Sequence, residues 1–376
     1  MTRLIKPCLL IFLFLSAPGR IAAQVNNDWY LYHDAKSDLY GYKDLQGNVK
    51  VKARFNGFIS ARVFKNIAAV RDDADGKAYY LLKNGRKVGL DSLYVSDMTY
   101  DCEQEGKIRF RDSKTDRVGF FGSDGKIRVP AKFNDASPFY NGLAVALYEG
   151  KRICSDGSAY NPKQPCEHWS WSGKTALIDS LGNIIADNID WEQTRNINWY
   201  AMKVSDLPAD TSLYESFKTN DGRYNTFINY EKEFNQWFYN SYLSDLALTN
   251  LSRHTFQELS VEGIFKNRLR KTYAKAAFIK QFGPTLQAKL TEIRHKDFET
   301  VIFTESLNLY IEAGKSFKVY YTDCGEANDQ RYPAFDVVTT HYKRNKEFDY
   351  QEHFAFLRTA DGYKLISMAL KPAVKR

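Results

Sequence analysis

The chain has 376 residues, with 53 Lys and Arg, 45 Asp and Glu, and a mean hydropathy of -0.49. Its formal charge of +8 is mild for that length and gives no reason to expect a nucleic-acid partner. The length allows about two domains, and 25 Tyr and 25 Phe supply ample core material, so neither a disordered nor a fibrous chain is expected.

Residues 1–23 have the layout of a secretory signal: Arg3 and Lys6, an apolar run from Leu9 to Ala17, then small residues at Ala22 and Ala23. The run is too short to cross a bilayer, and Pro18 and Gly19 end any helix there, so cleavage near Ala23 and a periplasmic or secreted location are expected. Loss of Arg3, Lys6 and Arg20 lowers the charge from +8 to +5. No later segment reaches the roughly 18 apolar residues of a membrane helix, so no span is expected in the mature chain.

Self-similarity appears from residue 28 to about 200. "GYKDLQGNVKVKARFNGF" begins at Gly41, "YYLLKNGRKVGL" at Tyr79, "GFFGSDGKIRVPAKFNDA" at Gly119 and "ALIDSLGNIIAD" at Ala176. Six residues after each start lies a glycine, namely Gly47, Gly85, Gly125 and Gly182, at the position where a tight hairpin needs a positive backbone angle. One hairpin cannot bury its own apolar face, so the units are expected to stack. Asp44, Asp124 and Asp179 recur in these turns. A single carboxylate per unit falls short of the six to eight oxygens of a calcium site, and turn chemistry accounts for them.

This pattern resembles the bacterial WG-repeat family, whose units run as a Gly-aromatic strand, an Asp-x-x-Gly hairpin, an apolar strand ending in Pro, and a Phe-aromatic-x-Gly-Leu-Ala-x-Val segment. The third unit matches through Gly119, Phe120, Asp124, Gly125, Pro130, Phe133, Phe139, Gly142, Leu143, Ala144 and Val145. The first matches through Gly41, Tyr42, Asp44, Gly47, Phe55, Phe64, Ala68, Ala69 and Val70, while Tyr80 and Leu177 mark degenerate second and fourth units. The resemblance implies a β-rich interaction module and transfers no catalytic residue. In the third unit Pro130 is expected to end the return strand, Phe133 and Phe139 to be buried anchors, and Asn141-Gly142 to launch the next strand.

Four cysteines remain in the mature chain, which permits pairing in an exported protein. Cys154 and Cys166 flank "SDGSAYNPKQP" and are expected to bridge; as metal ligands with His168 they lack any Cys-x-x-Cys pair. No metal and no cofactor are expected. Trp169 and Trp171, two apart in "HWSWSG", share one face of a strand and are candidates for stacking on a sugar or a protein.

Residues 201–224 have linker composition, with Pro208, Asp210, Ser212 and Gly222. In 225–376, Phe227, Tyr230, Phe234, Trp237 or Phe238, and Tyr242 have helical spacing, as do Phe265, Leu269, Tyr273, Ala276 and Ile279 ahead of a stop at Gly283-Pro284. "TVIFTE", "FKVYYTDC", "FDVVTTHYKR", "YQEHFAFLRT" and "YKLISMAL" then read as strands. The expected fold class is a mainly β repeat array followed by an α+β domain with helices packed on an antiparallel sheet. In element order alone that second domain is similar to the cystatin-like and NTF2-like group.

Three further features bear on function. From Glu262 to Lys296, nine basic residues face two acids, so Lys266 and Lys271 would contact an anionic surface if this stretch docks on the envelope. His341 and His353 lie in adjacent expected strands near Tyr350 and Glu352, where they could build a pocket, although alternation lets only one of Glu352 and His353 point inward. His33, His168, His254 and His295 have no partner at metal spacing. No Gly-x-Ser-x-Gly, Walker or His-Glu-x-x-His motif occurs. The function expected from the sequence is therefore an exported, non-enzymatic binding protein for a protein or glycan at the cell envelope. A small-ligand or hydrolytic pocket in the C-terminal domain and an envelope structural role are the alternatives.

Overall fold

The computed structural model describes residues 27–263, 270–295, 298–308, 311–312 and 314–371. The segment expected to be a secretory signal, and Lys266, Phe265 and Leu269 of the basic stretch, lie outside the described residues.

The first half is a series of small antiparallel meanders. Leu39–Lys43 returns through Val49–Phe55, Ala78–Leu82 through Lys87–Val88, Arg117–Gly122 through Ile127–Phe133, and Trp169–Ile178 through Ile184–Ala186. Gly47, Gly85, Gly125 and Gly182 all have positive φ, between +70° and +88°. The turn acids do local work. Asp44 accepts from Asn48 N, Asp124 from Lys126 N and Asp179 from Asn183 N. Successive residues of one strand enter different cores. Ala68, Val70 and Tyr79 pack with Tyr42 and Phe64, whereas Ile67, Ala69 and Tyr80 pack with Phe110 and Phe121. Ala144 and Ala146 likewise join Phe120 and Phe139, while Leu143 and Val145 join Leu177 and Trp199. Burial on both faces is the reason that "IAAV" and "LAVA" read as unbroken apolar runs.

The glycines that open the first and third units have a different cause from the turn glycines. A Cβ on Gly119 would lie 2.6 Å from Val129 O and 2.7 Å from Ala131 N; on Gly41 it would lie 2.5 Å from Val51 O and 2.7 Å from Ala53 N. Both sites coincide with a register shift against the return strand, so that strand folds directly over the glycine. The units that begin with Tyr79 and Ala176 have return strands of only two and three residues, against seven in the other two. Pro130 does not end its strand, which continues to Phe133. It sits on an edge strand beside the register shift, where its missing N–H takes nothing from the ladder.

Residues 203–228 form a further three-stranded sheet, and its Phe217 and Phe227 pack with Leu143 and Val145. Asn229 caps the helix Tyr230–Trp237 by accepting from Lys232 N, and a π-turn at Phe238–Tyr242 keeps Phe234, Phe238 and Tyr242 buried.

The C-terminal half corrects the expected fold class. Among the described residues strand takes 46% and helix 16%, so the fold is mainly β with many small sheets and not a repeat array with an attached helix-packed α+β domain. The largest sheet has six strands in the order Lys271–Ala274, Thr255–Glu262, Gly362–Ala369, Phe348–Thr359, Ala334–Tyr342 and Glu299–Glu305. It is mixed, not antiparallel, because Thr255–Glu262 pairs in parallel with Gly362–Ala369. Among its described residues, the stretch read as a second helix has strand at its start, the end of Thr255–Glu262, and at Lys271–Ala274; the helix begins at Lys275 and runs through Gly283 and Pro284 to His295. Phe278 and Phe282 before Pro284, and Leu286, Leu290 and Ile293 after it, are buried in the main core, and this packing outweighs the lost backbone bond. "FKVYYTDC" is no strand: Lys315–Tyr320 is a short 3-10 helix whose Phe317 packs on Phe256, 4.7 Å between ring centroids.

Two disulfides are present, Cys154–Cys166 and Cys102–Cys324. The second spans 222 residues and joins the array to the segment covering the large sheet, a closure of the size that contributes roughly 5 kcal/mol on the chain-entropy model.

Replacing Gly119 by Ala is expected to cost about 1–3 kcal/mol, since the atoms in its way are backbone. Urea unfolding of Gly119→Ala measures it, and a midpoint equal to that of the unmodified protein would contradict this account of the Gly-aromatic strand.

Candidate functional site

One loop connects the parts that surround the largest cavity. Asp101 accepts from Arg109 N (2.7 Å) and Arg109 Nε (3.1 Å), and Cys102 is bridged to Cys324. Glu103 accepts from the backbone N–H groups of Asn66 and Ile67, at 3.0 and 3.2 Å. Glu105 repeats that contact two units later, taking the N–H groups of Asn141 (2.6 Å) and Gly142 (2.8 Å) together with Tyr200 OH (3.2 Å). Both connectors are thus clamped by a carboxylate from the same loop. Asn141, at φ +53°, donates through Nδ2 to Trp199 O, which sets the array against the chain beyond it.

The cavity has a volume of about 800 Å³ and is lined by Tyr94, Tyr140, Trp171, Trp191 and Trp199, with Arg109, Asp135, Arg195 and Gln330 among its polar groups. The Arg109 guanidinium lies 4.1 Å over the Tyr94 ring and donates to Ala136 O at 2.9 Å. Burial works against its charge, yet Asp101 prevails and holds the guanidinium firmly protonated. Tyr94 donates to Asp135 at 2.8 Å, and burial pushes the phenols of Tyr94 and Tyr140 up to about 12. Trp199 donates through Nε1 to Gln330 Oε1 at 2.9 Å, and Tyr230 OH donates to Gln330 O, so the C-terminal half supplies one wall.

Of the two tryptophans singled out in the sequence, Trp171 lines the cavity and Trp169 does not. Their rings meet edge to face at 5.4 Å, and Tyr160 from the disulfide-closed insertion lies 5.9 Å from Trp169. Arg152 sits among all three, 4.4 Å from Trp169, 5.0 Å from Trp171 and 5.4 Å from Tyr160, and pairs with Asp116 at 2.5 Å. This aromatic cluster therefore already holds a cation of its own chain.

The two histidines do not come together. His341 lies opposite Tyr350, stacked at 4.2 Å, with Phe298 on its other side at 4.0 Å. His341 Nε2 is 3.2 Å from Glu352, which is only 3% exposed and also meets Lys289 Nζ at 3.0 Å. His353 lies on the opposite face of the sheet, bonded to Asp336 at 2.7 Å. None of His341, Tyr350 and His353 lines the large cavity. Strand alternation separates them: His341 and Glu352 point to the helix side, and His353 to the other. In the basic stretch, Arg270 pairs with Glu262, and Lys289 with Glu292 and Glu352.

The segment that builds the cavity's array wall is also the one a family model recognises. Residues 119–151 match the WG containing repeat. The match covers the third unit and its connector, from the glycine under the folded return strand to the start of the long hairpin. No curated protein matches the chain. One solved structure, a chain described as a calcium/calmodulin dependent protein kinase II association domain from Xanthomonas campestris, is 12% identical over 38% of this chain and 89% of its own. Its TM-score is 0.20, so it carries no structural argument.

Tyr94, Arg109, Tyr140, Trp191, Trp199 and Gln330 were not singled out in the sequence as site residues. They come from separate parts of the chain, Arg109 from the strand Lys107–Asp112 and Trp199 from a short 3-10 helix, and only Tyr140, beside the repeat's Phe139, had a signal in the motif.

The His353–Asp336 pair has a readable consequence. The hydrogen bond to Asp336 raises the His353 pKa against the opposing effect of burial, whereas burial lowers that of His341. The fold thus favours protonated His353, so its contribution is complete below the unfolded value near 6.5 and disappears as pH rises through the folded value. Asp336→Asn is expected to lower the His353 pKa in an NMR titration of the ring protons; an unshifted midpoint would rule out the assigned cause.

Proposed function

We propose that the chain is an exported, non-enzymatic binding protein that holds a glycan in the aromatic cavity between the WG-like units and the C-terminal half. The carrying observation is the cavity's composition: three Trp and two Tyr around about 800 Å³, with planar Arg, Asp and Gln side chains between them. Flat aromatic rings stack against the C–H faces of a sugar ring, while planar polar groups hydrogen-bond pairs of hydroxyls. A concave site of this size suits such a ligand better than the flatter face of a folded protein.

The charged lining groups already have partners. Arg109 is bonded to Asp101, Arg195 to Glu192 at 3.0 Å, and Asp135 to Tyr94. Such pairs position rather than react, which favours binding over catalysis. Trp199 uses only the oxygen of Gln330, leaving its amide N–H groups for a ligand among the described residues. Export is supported by the signal-like layout of residues 1–23 and by the two disulfides, which persist in oxidising compartments. Among the described residues no helix is long and apolar enough to cross a membrane.

The test is a glycan array followed by calorimetry on Trp171→Ala and Trp191→Ala. Each is expected to weaken binding about tenfold or more, the loss of one stacking contact, with the thermal midpoint little changed. Retention of every glycan hit at full affinity in both variants would remove the cavity from the function.

A further inference from the structure

The aromatic cavity adjoins others. A second, of about 450 Å³, shares Arg109, Pro138, Tyr140 and Gln330 with it and has a more polar lining, with Ser60, Thr99, Gln104 and Asn328 beside Tyr100, Ala327 and the Cys102–Cys324 bridge. A third, of about 430 Å³, shares Tyr140, Glu326 and Gln330 with the second, and a fourth, of about 370 Å³, shares Asp329, Ser306 and Gln330 with the third and Arg195 with the first. Gln330 borders all four. Tyr140 from the array borders three of them, so these two side chains mark where the cavities adjoin.

We propose, resting on the glycan reading above, that the ligand is an extended, non-acidic oligosaccharide that crosses Tyr140 and Gln330 from the aromatic cavity into the polar chamber beyond. The geometry gives the length: a cavity of about 800 Å³ far exceeds the volume of one sugar ring, and its shared walls lead into the next. The chemistry changes along that path from stacking rings to hydroxyl, amide and carboxylate groups, which matches a chain gripped by its ring faces at one end and by its hydroxyls at the other.

The sign of the charge follows from the partners of each group. Asp97, Asp101 and Glu326 line the second chamber, and its one cation, Arg109, is already bonded to Asp101. Asp329 and Glu305 follow in the neighbouring cavities. Burial raises the pKa of both Glu326 and Asp329, with the charge of Asp101 adding to the effect on Glu326. An anionic sugar would add a further negative charge to this surface, whereas a neutral sugar bonds to it and an amino sugar neutralises it.

The experiment is calorimetry of the whole mature protein with β-linked oligomers of glucose, N-acetylglucosamine and glucosamine, of two to six units, and with galacturonate oligomers of the same lengths. The expected result is affinity that rises by about tenfold or more between two and four units in at least one non-acidic series, with the galacturonate series weakest throughout. Glu326→Gln, with Asp97→Asn as a second variant at a left-handed position that Asn tolerates, is expected to weaken the long glucosamine oligomers at least threefold and leave the dimer unchanged. Affinity that is flat from two to six units, yet lost in Trp171→Ala, overturns the extended ligand while the aromatic site stands. Tightest binding by galacturonate overturns the non-acidic assignment. Binding of no oligomer in any series, with none on the array, removes the glycan reading itself.

Discussion

Tight connectors leave backbone N–H groups pointing away from any ladder, and such donors need an acceptor. In this molecule a single loop answers that need twice. Glu103 takes the donors of Asn66 and Ile67, and Glu105 takes those of Asn141 and Gly142, while between them Cys102 bonds to Cys324. The placement of two repeat units, of Arg109 through Asp101, and of the segment at Cys324 through Cys102 all follow from residues 101–105. Each clamp joins a charged acceptor to two backbone donors, the stronger class of hydrogen bond, and the disulfide restricts the unfolded chain over its longest loop.

Given that frame, the repeats have little freedom left for function. Strands such as Ile67–Arg71 and the start of Ala144–Cys154 are buried on both faces, so their side chains are committed to neighbouring cores. Phe120 and Phe139 meet edge to face at 4.7 Å within one such core. Residues free to face a ligand are those that follow an anchor and point out of the stack, and Tyr140, next to Phe139, is one. The equivalent residue of the first unit is Lys65, which instead pairs with Asp323. The same position thus binds the C-terminal half in one unit and lines the cavity in another.

The repeat was legible in the sequence because its constraints are local. A positive φ at Gly125 or a carbonyl over Gly119 acts within a dozen residues and leaves a glycine that recurs. The helix Tyr230–Trp237 was legible too, through its period, although Phe227, read as part of the same pattern, lies in the strand Tyr224–Ile228. The mixed sheet was not, because the parallel pairing of Thr255–Glu262 with Gly362–Ala369 joins segments about 100 residues apart and leaves no period behind. Nor was the helix past Pro284, where burial of Phe282, Leu286, Leu290 and Ile293 in the main core overrides a rule that holds for isolated helices. The histidine pair failed for a different reason: proximity in adjacent strands was readable, but the phase that sends His341 and His353 to opposite faces depends on a register that only the folded sheet sets.

The tryptophan pair shows how far alternation reaches. Trp169, Trp171, Gly173 and Thr175 are spaced two apart, and the last three all line the cavity, as a single strand face requires. Trp169 continues that face yet lies beyond the cavity, against Arg152 and Tyr160. The change follows an irregularity in the long hairpin, where the pairing shifts between Tyr148 and Lys151, Glu149 takes φ +51°, and a Cβ on Gly173 would come within 2.7 Å of Gly150 Cα. A bulge with two glycines in contact bends and twists the ribbon, so its outer end leaves the cavity. Trp171 is the last ring inside it, and Arg152, paired with Asp116, holds that ring from behind.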